Sequence, residues 1–395
     1  MKKIFVLFVL FIFAVSISAQ EKYTIQQYLN IKSASSPNFS ADGKRLVYLT
    51  NASGTSQVWA IDLPNGAPQQ LTKYDDNVSF ARWLPDNSGV IFGKAVGGNE
   101  NTQFFTMKAD GSGVRELTAN PQIRYNFGDV SKDGKTIYYA SNKRDKNFFD
   151  VYSMELASGT EEMIYQQNGS NNFAAASEDG AKIIISRSGT ELSLDNNLYL
   201  IDAKTKKETL LTPHTDAAQF GDVEFISNDE IVFGTNDKRE FINLARLNLK
   251  DNKMQFLDQT NWDLDAGAFS EDKKTMAYTI NREGFSELSI VETKNIGKKT
   301  ATIKLPAQGI VGGLRFSKDG DKLAFSFGSA KNNTDVWLYD LKSKSLTQIT
   351  KSDRAGIAPE SFVEPQLIKY KSFDGREISA WYYRAEKIVG KINSQ

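Results

Sequence analysis

The sequence has no cysteine, a single histidine and no excess of charge of either sign. Without cysteine the chain can form no disulfide and carry no lipid on an N-terminal cysteine. The 48 Lys and Arg side chains balance the 48 Asp and Glu side chains. The surface as a whole therefore does not attract nucleic acid or anionic lipid. No cluster of carboxylates or other metal ligands is evident, so we predict no metal and no cofactor.

Long hydrophobic runs are also absent after the first residues. Lys2 and Lys3 precede twelve apolar residues, Ile4 to Val15, and small residues follow up to Ala19. This pattern is typical of a secretory signal peptide, with an apolar core too short to span a bilayer. We predict a signal peptide over residues 1–19, a periplasmic or secreted product, and no membrane association after cleavage.

The dominant feature of the remaining chain is a repeated pattern, first seen as FSADGKRLVYL from Phe39 to Leu49. Asp42 and Gly43 favour a tight turn, and the β-branched and aromatic residues after them favour a returning strand. The pattern predicts a β-hairpin. Close and looser copies lie at Val130–Ala140, Ala176–Ser186, Phe316–Ser326, Trp83–Gly93, Phe225–Thr235 and Phe269–Thr279.

The spacing of these copies predicts the architecture. Aspartates at the turns are separated by 44, 47, 46, 50, 43 and 47 residues, and each copy is followed by two further strand-like segments. A period of this length with four strands per unit is typical of a β-propeller. We therefore predict an all-β fold of seven four-stranded blades, with strands A to D in each blade, over residues 36–350.

Strand order within a blade predicts two different faces. If strands A to D alternate in direction, the A–B turns with Asp-Gly lie on one face. The B–C loops, the D-to-A crossings and the ends of the propeller lie on the other. The B–C loops, such as Ser141–Asp150 and Asn281–Phe285, are longer and more charged, as befits a face that contacts another molecule. Because the repeats begin with an A strand and end with a D strand, we predict that blades 1 and 7 share no sheet.

Two shorter segments flank the repeats. Residues 20–35 form a lead-in, in which Thr24 before Ile25–Ile31 predicts a short capped helix. Residues 351–395 contain FVEPQLIKYKSFDGREISAWYYRAEK from Phe362 to Lys387, which predicts a short β-hairpin extension after the last blade.

This last segment resembles the first hairpin of the hydrolase domain in the prolyl oligopeptidase family of serine peptidases, near its acylaminoacyl-peptidase and dipeptidyl-aminopeptidase-like branches. The opening Ser36–Asn51 and the LLTPH segment at Leu210–His214 are also similar to that family. The repeats alone are less specific, since the Tol-system periplasmic propeller shares them.

The resemblance implies a catalytic Ser, Asp and His in an α/β-hydrolase domain after this point. None has a counterpart here: the sequence has no Gly-x-Ser-x-Gly, and His214 lies in a predicted Thr-Pro-His turn inside the propeller. We therefore predict no catalytic residue and no activity of the chain alone. We also expect a truncated or split product, in which the hairpin lacks the rest of its sheet.

Two functions remain open at this point. The first is the propeller portion of a secreted serine peptidase, which restricts entry to short or unfolded peptides and faces a hydrolase domain with its B–C loops. Arg144, Arg239 and Arg282 are then candidates for steering peptide carboxylates on the geometry of this face alone, although solvated loop charges explain each of them better. The second is a free-standing periplasmic propeller that binds a protein partner or acts as a scaffold.

Overall fold

The computed structural model describes residues 23–192, 194–257, 259–298 and 302–384. The predicted signal peptide lies outside these residues. No helix in the described ranges is long and apolar enough to cross a bilayer. A helix of five residues, α1 (Ile25–Leu29), precedes the strands, and Thr24 caps it by accepting a hydrogen bond from the Gln27 backbone N–H.

Strands account for nearly all of the regular structure. They are, in chain order, β1 Ala34–Phe39, β2 Arg45–Thr50, β3 Gln57–Asp62, β4 Gln69–Gln70, β5 Val78–Trp83, β6 Val90–Lys94, β7 Gln103–Met107, β8 Arg115–Glu116, β9 Tyr125–Val130, β10 Thr136–Asp145, β11 Phe148–Glu155, β12 Glu161–Tyr165, β13 Asn171–Ala176, β14 Lys182–Ser188, β15 Asn196–Asp202, β16 Glu208–Leu210, β17 Phe220–Ser227, β18 Glu230–Thr235, β19 Asn243–Asn248, β20 Lys253–Phe256, β21 Leu264–Phe269, β22 Thr275–Arg282, β23 Phe285–Glu292, β24 Ile310–Phe316, β25 Lys322–Gly328, β26 Asp335–Asp340, β27 Ser345–Gln348, β28 Gln366–Lys371 and β29 Glu377–Tyr382.

These strands form seven antiparallel sheets in sequence order and one separate hairpin, β28–β29. The predicted all-β fold of seven four-stranded blades is confirmed. In the sixth blade the described residues form three strands, β21 to β23, and Thr302 adds a single antiparallel bridge to Ser289 of β23 at the position of strand D.

The core lies between the blades rather than inside one. Seven clusters of buried apolar side chains occur in the described part of the chain, and each one joins two neighbouring blades. One of them packs Phe39 and Tyr48 of blade 1 against Val336 and Leu338 of blade 7. A twisted sheet that is apolar on both faces is thus buried on each side by its neighbours.

Within the described residues the ring closes without a shared strand. Blades 1 and 7 are separate sheets, which confirms the prediction made from strand order. Besides apolar packing, the seam carries hydrogen bonds from Lys32 N to Asp353 O and from Ala34 N to Thr334 O, both 2.8 Å. The Asn333 side-chain amide also donates to Lys32 O at 3.1 Å.

The A–B turns repeat one hydrogen-bond pattern. In blade 1, Ser40 Oγ donates to Asp42 Oδ1 at 2.6 Å and accepts from Arg45 N at 2.9 Å, while Asp42 Oδ1 also accepts from Lys44 N at 3.1 Å. Gly43 has a φ of 68°, a conformation that costs other residues about 1–2 kcal/mol. The same serine-aspartate pair occurs in four more blades, at Ser131–Asp133, Ser177–Asp179, Ser270–Asp272 and Ser317–Asp319.

The B–C connections differ from the sequence-based expectation. The predicted loop Ser141–Asp150 is mostly strand, because β10 and β11 continue to a tight turn at residues 146–147. The predicted loop Asn281–Phe285 is likewise a two-residue turn, Glu283–Gly284, between β22 and β23. Backbone pairing with the neighbouring strand outweighs the weak strand preference of these charged residues.

Candidate functional site

The B–C face carries the hairpin β28–β29, which docks on the sixth blade. The indole Nε1 of Trp381 donates to the backbone oxygen of Glu283 at 2.8 Å, and Ser379 Oγ donates to Glu283 Oε1 at 3.0 Å. Lys369 forms an ion pair with the same carboxylate at 3.0 Å. A single turn residue therefore fixes the hairpin through its backbone and its side chain.

The local backbone explains why this turn can accept the indole. Glu283 and Gly284 both have positive φ, 51° and 92°, as a two-residue hairpin turn requires. A Cβ at Gly284 would lie 2.7 Å from Trp381 Nε1, so only glycine leaves room for the ring. The Phe285 ring meets the Trp381 ring edge-on, with centroids 6.0 Å apart.

The rest of the hairpin has little contact with the propeller. All six residues of β28 are exposed, and large apolar side chains on both strands and their turn face solvent. An isolated two-stranded hairpin with an exposed apolar side is marginally stable in water unless another surface covers it. The exposed apolar side chains include Ile368, Tyr370, Phe373, Tyr382 and Tyr383.

A cleft of about 470 Å³ lies between the hairpin and the last two blades. Phe285, Trp381 and Tyr383 contribute aromatic rings to its lining, which also includes Gly309 and Gly328. Glu364 supplies a carboxylate at its edge. A cleft with aromatic walls and few charges suits an uncharged peptide segment better than an ion.

Arg144, one of the three predicted candidates, is held by a buried carboxylate. Its Nε and Nη2 both donate to Asp150, the latter at 3.0 Å, and Nη2 also donates to Asn168 Oδ1 at 3.2 Å. The Asp150 side chain is fully buried, and its hydrogen bonds to the guanidinium raise the pKa of Arg144. The contacts of Arg144 thus stabilise the β10–β11 hairpin.

Arg239 and Arg282 are likewise held within their own blades. Arg239 donates to Asn243 Oδ1 at 2.8 Å, and its guanidinium carbon lies 3.6 Å from the centroid of the Phe256 ring. Arg282 Nε donates to Glu287 Oε1 at 2.6 Å across the β22–β23 pair. The described contacts do not join the three arginines into one site.

His214 connects the long B–C loop of blade 4 to the propeller through a hydrogen bond with Asp195. Its Nε2 lies 2.9 Å from Asp195 Oδ1 and its Nδ1 lies 2.7 Å from Thr212 O. Burial alone would lower the pKa of His214, but the Thr212 carbonyl and the Asp195 carboxylate outweigh it, and the net pKa is raised. Both nitrogens face acceptors, so the ring donates twice when charged and has no free base for chemistry.

The sequence-based reasoning did not identify Glu283 and Trp381. The available signals were an Arg-Glu-Gly turn in the shortest of the predicted B–C loops and a tryptophan in the last strand. No group of three or more His, Asp or Glu side chains that could hold a metal ion occurs within the described ranges.

Comparison with known proteins gives two overlapping family matches. A family model described as "Prolyl oligopeptidase, N-terminal beta-propeller domain" matches residues 127–352. A model described as "TolB beta propeller domain" matches residues 10–211.

Curated relatives match over shorter stretches. Dipeptidyl aminopeptidase BIII of Pseudoxanthomonas mexicana is 24% identical over 128 residues, which are 32% of this chain and 19% of that protein. The Tol-Pal system protein TolB of Anaeromyxobacter dehalogenans strain 2CP-C is 32% identical over 88 residues, 22% of this chain and 20% of that protein.

Solved structures match over most of the chain. A prolyl endopeptidase structure superposes with a TM-score of 0.73 at 14% identity, covering 90% of this chain and 54% of that one. A puromycin hydrolase structure gives a TM-score of 0.71 at 13% identity, with 89% of this chain and 58% of that one. At such identities the likeness shows the fold alone. The chain spans a little over half the length of the solved chains it matches.

Proposed function

Because this chain belongs to the prolyl oligopeptidase family through its N-terminal β-propeller domain, we propose that it is the substrate-gating propeller portion of a secreted serine peptidase of that family. The single observation that carries the proposal is the match to that family over residues 127–352. The hairpin on the B–C face supports it, because this hairpin resembles the start of the family's hydrolase domain.

In this proposal the propeller selects substrates and supplies no catalytic group. The sequence contains no Gly-x-Ser-x-Gly, and both ring nitrogens of His214 already face acceptors, Thr212 O and Asp195 Oδ1. A serine nucleophile needs an imidazole free to accept its proton. The catalytic serine, aspartate and histidine would come from a hydrolase domain.

The proposed partner surface is the B–C face with its hairpin. A hydrolase domain that extended the β28–β29 sheet would cover the exposed apolar side chains and the free strand edges. Peptides would then reach the domain boundary beside the aromatic cleft. Arg144, Arg239 and Arg282 remain candidates for steering peptide carboxylates, and the side chain of Arg282 is more exposed than that of Arg144, 41% against 25%.

The catalytic part of the proposal is tested by assaying the purified chain with peptide and acyl-peptide substrates. We expect no turnover. Cleavage that a serine-directed inhibitor abolishes would contradict the assignment. Reading the DNA beyond codon 395 for Gly-x-Ser-x-Gly in any frame provides an independent check.

The gating part needs a hydrolase domain to act on. If one is encoded downstream, its activity should be compared with and without this chain on a short peptide and on a long folded substrate. Gating predicts that the propeller lowers cleavage of the long substrate and spares the short one. Equal effects on both substrates would contradict it.

A second candidate function is a free-standing propeller that binds a protein partner. It is favoured by the match of residues 10–211 to the TolB propeller model and by the 32% identity to a Tol-Pal system protein. An unrelated intact gene directly downstream, together with a protein partner bound at the B–C face, would support this function over the first.

Both proposals place the protein in the periplasm or outside the cell after removal of residues 1–19. The motivating observation is the apolar run Ile4–Val15 behind two lysines. N-terminal sequencing of the mature protein tests it, and a product that begins at Met1 would contradict it.

A further inference from the structure

The turn between strands A and B places the residue before its aspartate at the mouth of the central channel. The A strands of most neighbouring blades contact one another and so surround the channel, and this residue follows shortly after strand A ends. A cavity of about 720 Å³ opens at this end of the channel. Five of the seven residues that precede a turn aspartate line it: Pro85, Lys132, Glu178, Asn228 and Glu271.

Lys132 of blade 3 forms two ion pairs at this mouth. Its Nζ lies 2.6 Å from Glu178 Oε1 of blade 4 and 3.7 Å from Glu271 Oε1 of blade 6. Blades 4 and 5 separate blades 3 and 6 on one side of the ring, and blades 7, 1 and 2 separate them on the other. The Lys132–Glu271 pair therefore spans the mouth of the channel. The other ion pairs between blades in the described part of the chain join adjacent blades.

A further ion pair lies beside this one. Lys273 of blade 6 contacts Glu224 of blade 5, and both residues line the same cavity. The two lysines thus connect blades 3, 4, 5 and 6 around and across the mouth. We call the three residues that span it, Lys132, Glu178 and Glu271, the ionic strap.

The ionic strap contributes little to the stability of the fold. The side chains of Lys132 and Glu271 are both 46% exposed, and an exposed ion pair is weak because water and salt screen it. Its importance lies in its position, since it holds three long side chains over an opening. Salt can release such a contact without unfolding a blade.

The turn does not need these charges in order to form. In blade 1 the same serine-aspartate turn is made with Ala41 at this position, and the serine, the aspartate and the glycine fix its backbone. The residue before the aspartate is therefore free to vary. Lysine in blade 3 and glutamate in blades 4 and 6 are complementary in charge, which is what a contact across the mouth requires.

We propose that the ionic strap closes the A–B mouth of the central channel to bulky molecules, and that salt or the loss of either charge opens it. The strap is a conformational device of the propeller itself. It lies on the face opposite the docked hairpin, so the proposal does not depend on the proposed function above.

A single cysteine inside the channel measures the opening, because the chain has no cysteine of its own. Asp129 precedes Lys132 by three residues in strand A of the same blade and lines the cavity, so Asp129→Cys places a thiol deeper than the strap. The whole chain is labelled with a small maleimide and, separately, with a maleimide attached to a long polyethylene glycol. The ratio of the bulky to the small labelling rate reports access, because the reactivity of the thiol itself affects both rates equally.

Two strap variants are then compared in the Asp129→Cys background. Lys132→Gln and Glu271→Gln should each raise the ratio about two- to fivefold, the population change that corresponds to loss of an exposed ion pair. The two substitutions change the local charge in opposite directions, so an effect on ionisation of the thiol would move the labelling rates in opposite directions. Loss of the strap raises the ratio in both. Added salt should raise the ratio with the strap intact and leave it unchanged in Lys132→Gln.

Lys182→Gln is the matched control. Lys182 pairs with Asp229 of the next blade at 2.8 Å, yet neither residue lines the cavity, so the ratio should stay unchanged. Thermal unfolding checks that every variant is folded. Equal ratios in all variants, a rise in only one of the two strap variants, or a ratio that does not respond to salt would overturn the proposal.

Discussion

The two faces of this propeller are made from the same strands, yet their connections differ in character. On the A–B face, five turns repeat one serine-aspartate hydrogen-bond pattern. On the B–C face the connections differ from blade to blade. Arg144 is hydrogen-bonded to Asp150 in one blade, His214 to Asp195 in another, and Glu283 to Trp381 of the hairpin in a third. The repeated pattern is a folding device that most blades share, and irregularity marks where one blade does something the others do not.

The largest effect that tests this difference is expected at Arg144 on the B–C face. Arg144→Ala leaves the fully buried Asp150 without a countercharge, and removal of one partner of a buried pair costs about 3 kcal/mol. Denaturant unfolding measures the loss. Arg239→Ala is the control, since it removes only a contact with Phe256 and an amide hydrogen bond and should cost about 1 kcal/mol or less. Equal, small losses would instead point to a solvated Arg144 that is free to steer substrates.

The next largest effect is expected on the A–B face. Gly134 has a φ of 75°, so Gly134→Ala should lower the free energy of unfolding by about 1–2 kcal/mol. Gly221→Ala is the matched control, because a Cβ at Gly221 would meet no atom within 4 Å and this glycine does not have a positive φ. If both variants unfold at the same denaturant concentration, the repeated turns are not under the backbone constraint described here.

A smaller, pH-dependent effect separates the two faces. The folded pKa of His214 is raised above 6.5, so its tie to Asp195 stabilises the fold fully below pH 6.5 and is lost as the pH rises through the folded pKa. The test is to measure the free energy of unfolding of wild type and His214→Gln by denaturant at several pH values. We expect the difference between them to shrink as the pH rises through the folded pKa of His214.

The contribution of the A–B turn aspartates to stability depends on pH in the opposite direction. Hydrogen bonds from Ser177 and the Ala181 backbone lower the pKa of Asp179 below 3.8, so its contribution is present above pH 3.8 and is lost as the pH falls through the folded value. Ser177→Ala is therefore the control for His214→Gln. Identical pH profiles for the two variants would contradict the assignment of these interactions.

The smallest effect on overall stability is expected for Trp381→Ala. The hairpin depends on the Trp381–Glu283 hydrogen bond and the Phe285 contact, whereas the propeller core does not include it. Backbone amides of Gln366–Tyr382 should exchange hydrogen faster, while the unfolding midpoint of the propeller stays unchanged. Phe373→Ala alters a fully exposed side chain of the same hairpin and should change neither quantity.

Local sequence signals were sufficient for the fold, because each Ser-x-Asp-Gly turn acts through residues within five positions of one another. They were insufficient for the candidate sites, which depend on distant residues. Glu283 and Trp381 are 98 positions apart, so no local pattern in the sequence indicates their contact. The extension of β10 through Asn142–Arg144 was also missed, since polar residues carry little strand preference and the pairing with β11 decides their conformation.

The seam between blades 1 and 7 has a topological consequence. Since no strand in the part of the chain that the structure describes crosses it, joining the two ends of the propeller there and cutting the chain at another inter-blade connection would leave each described sheet intact. The protein is thus a natural candidate for circular permutation, in which any blade could come first in the chain.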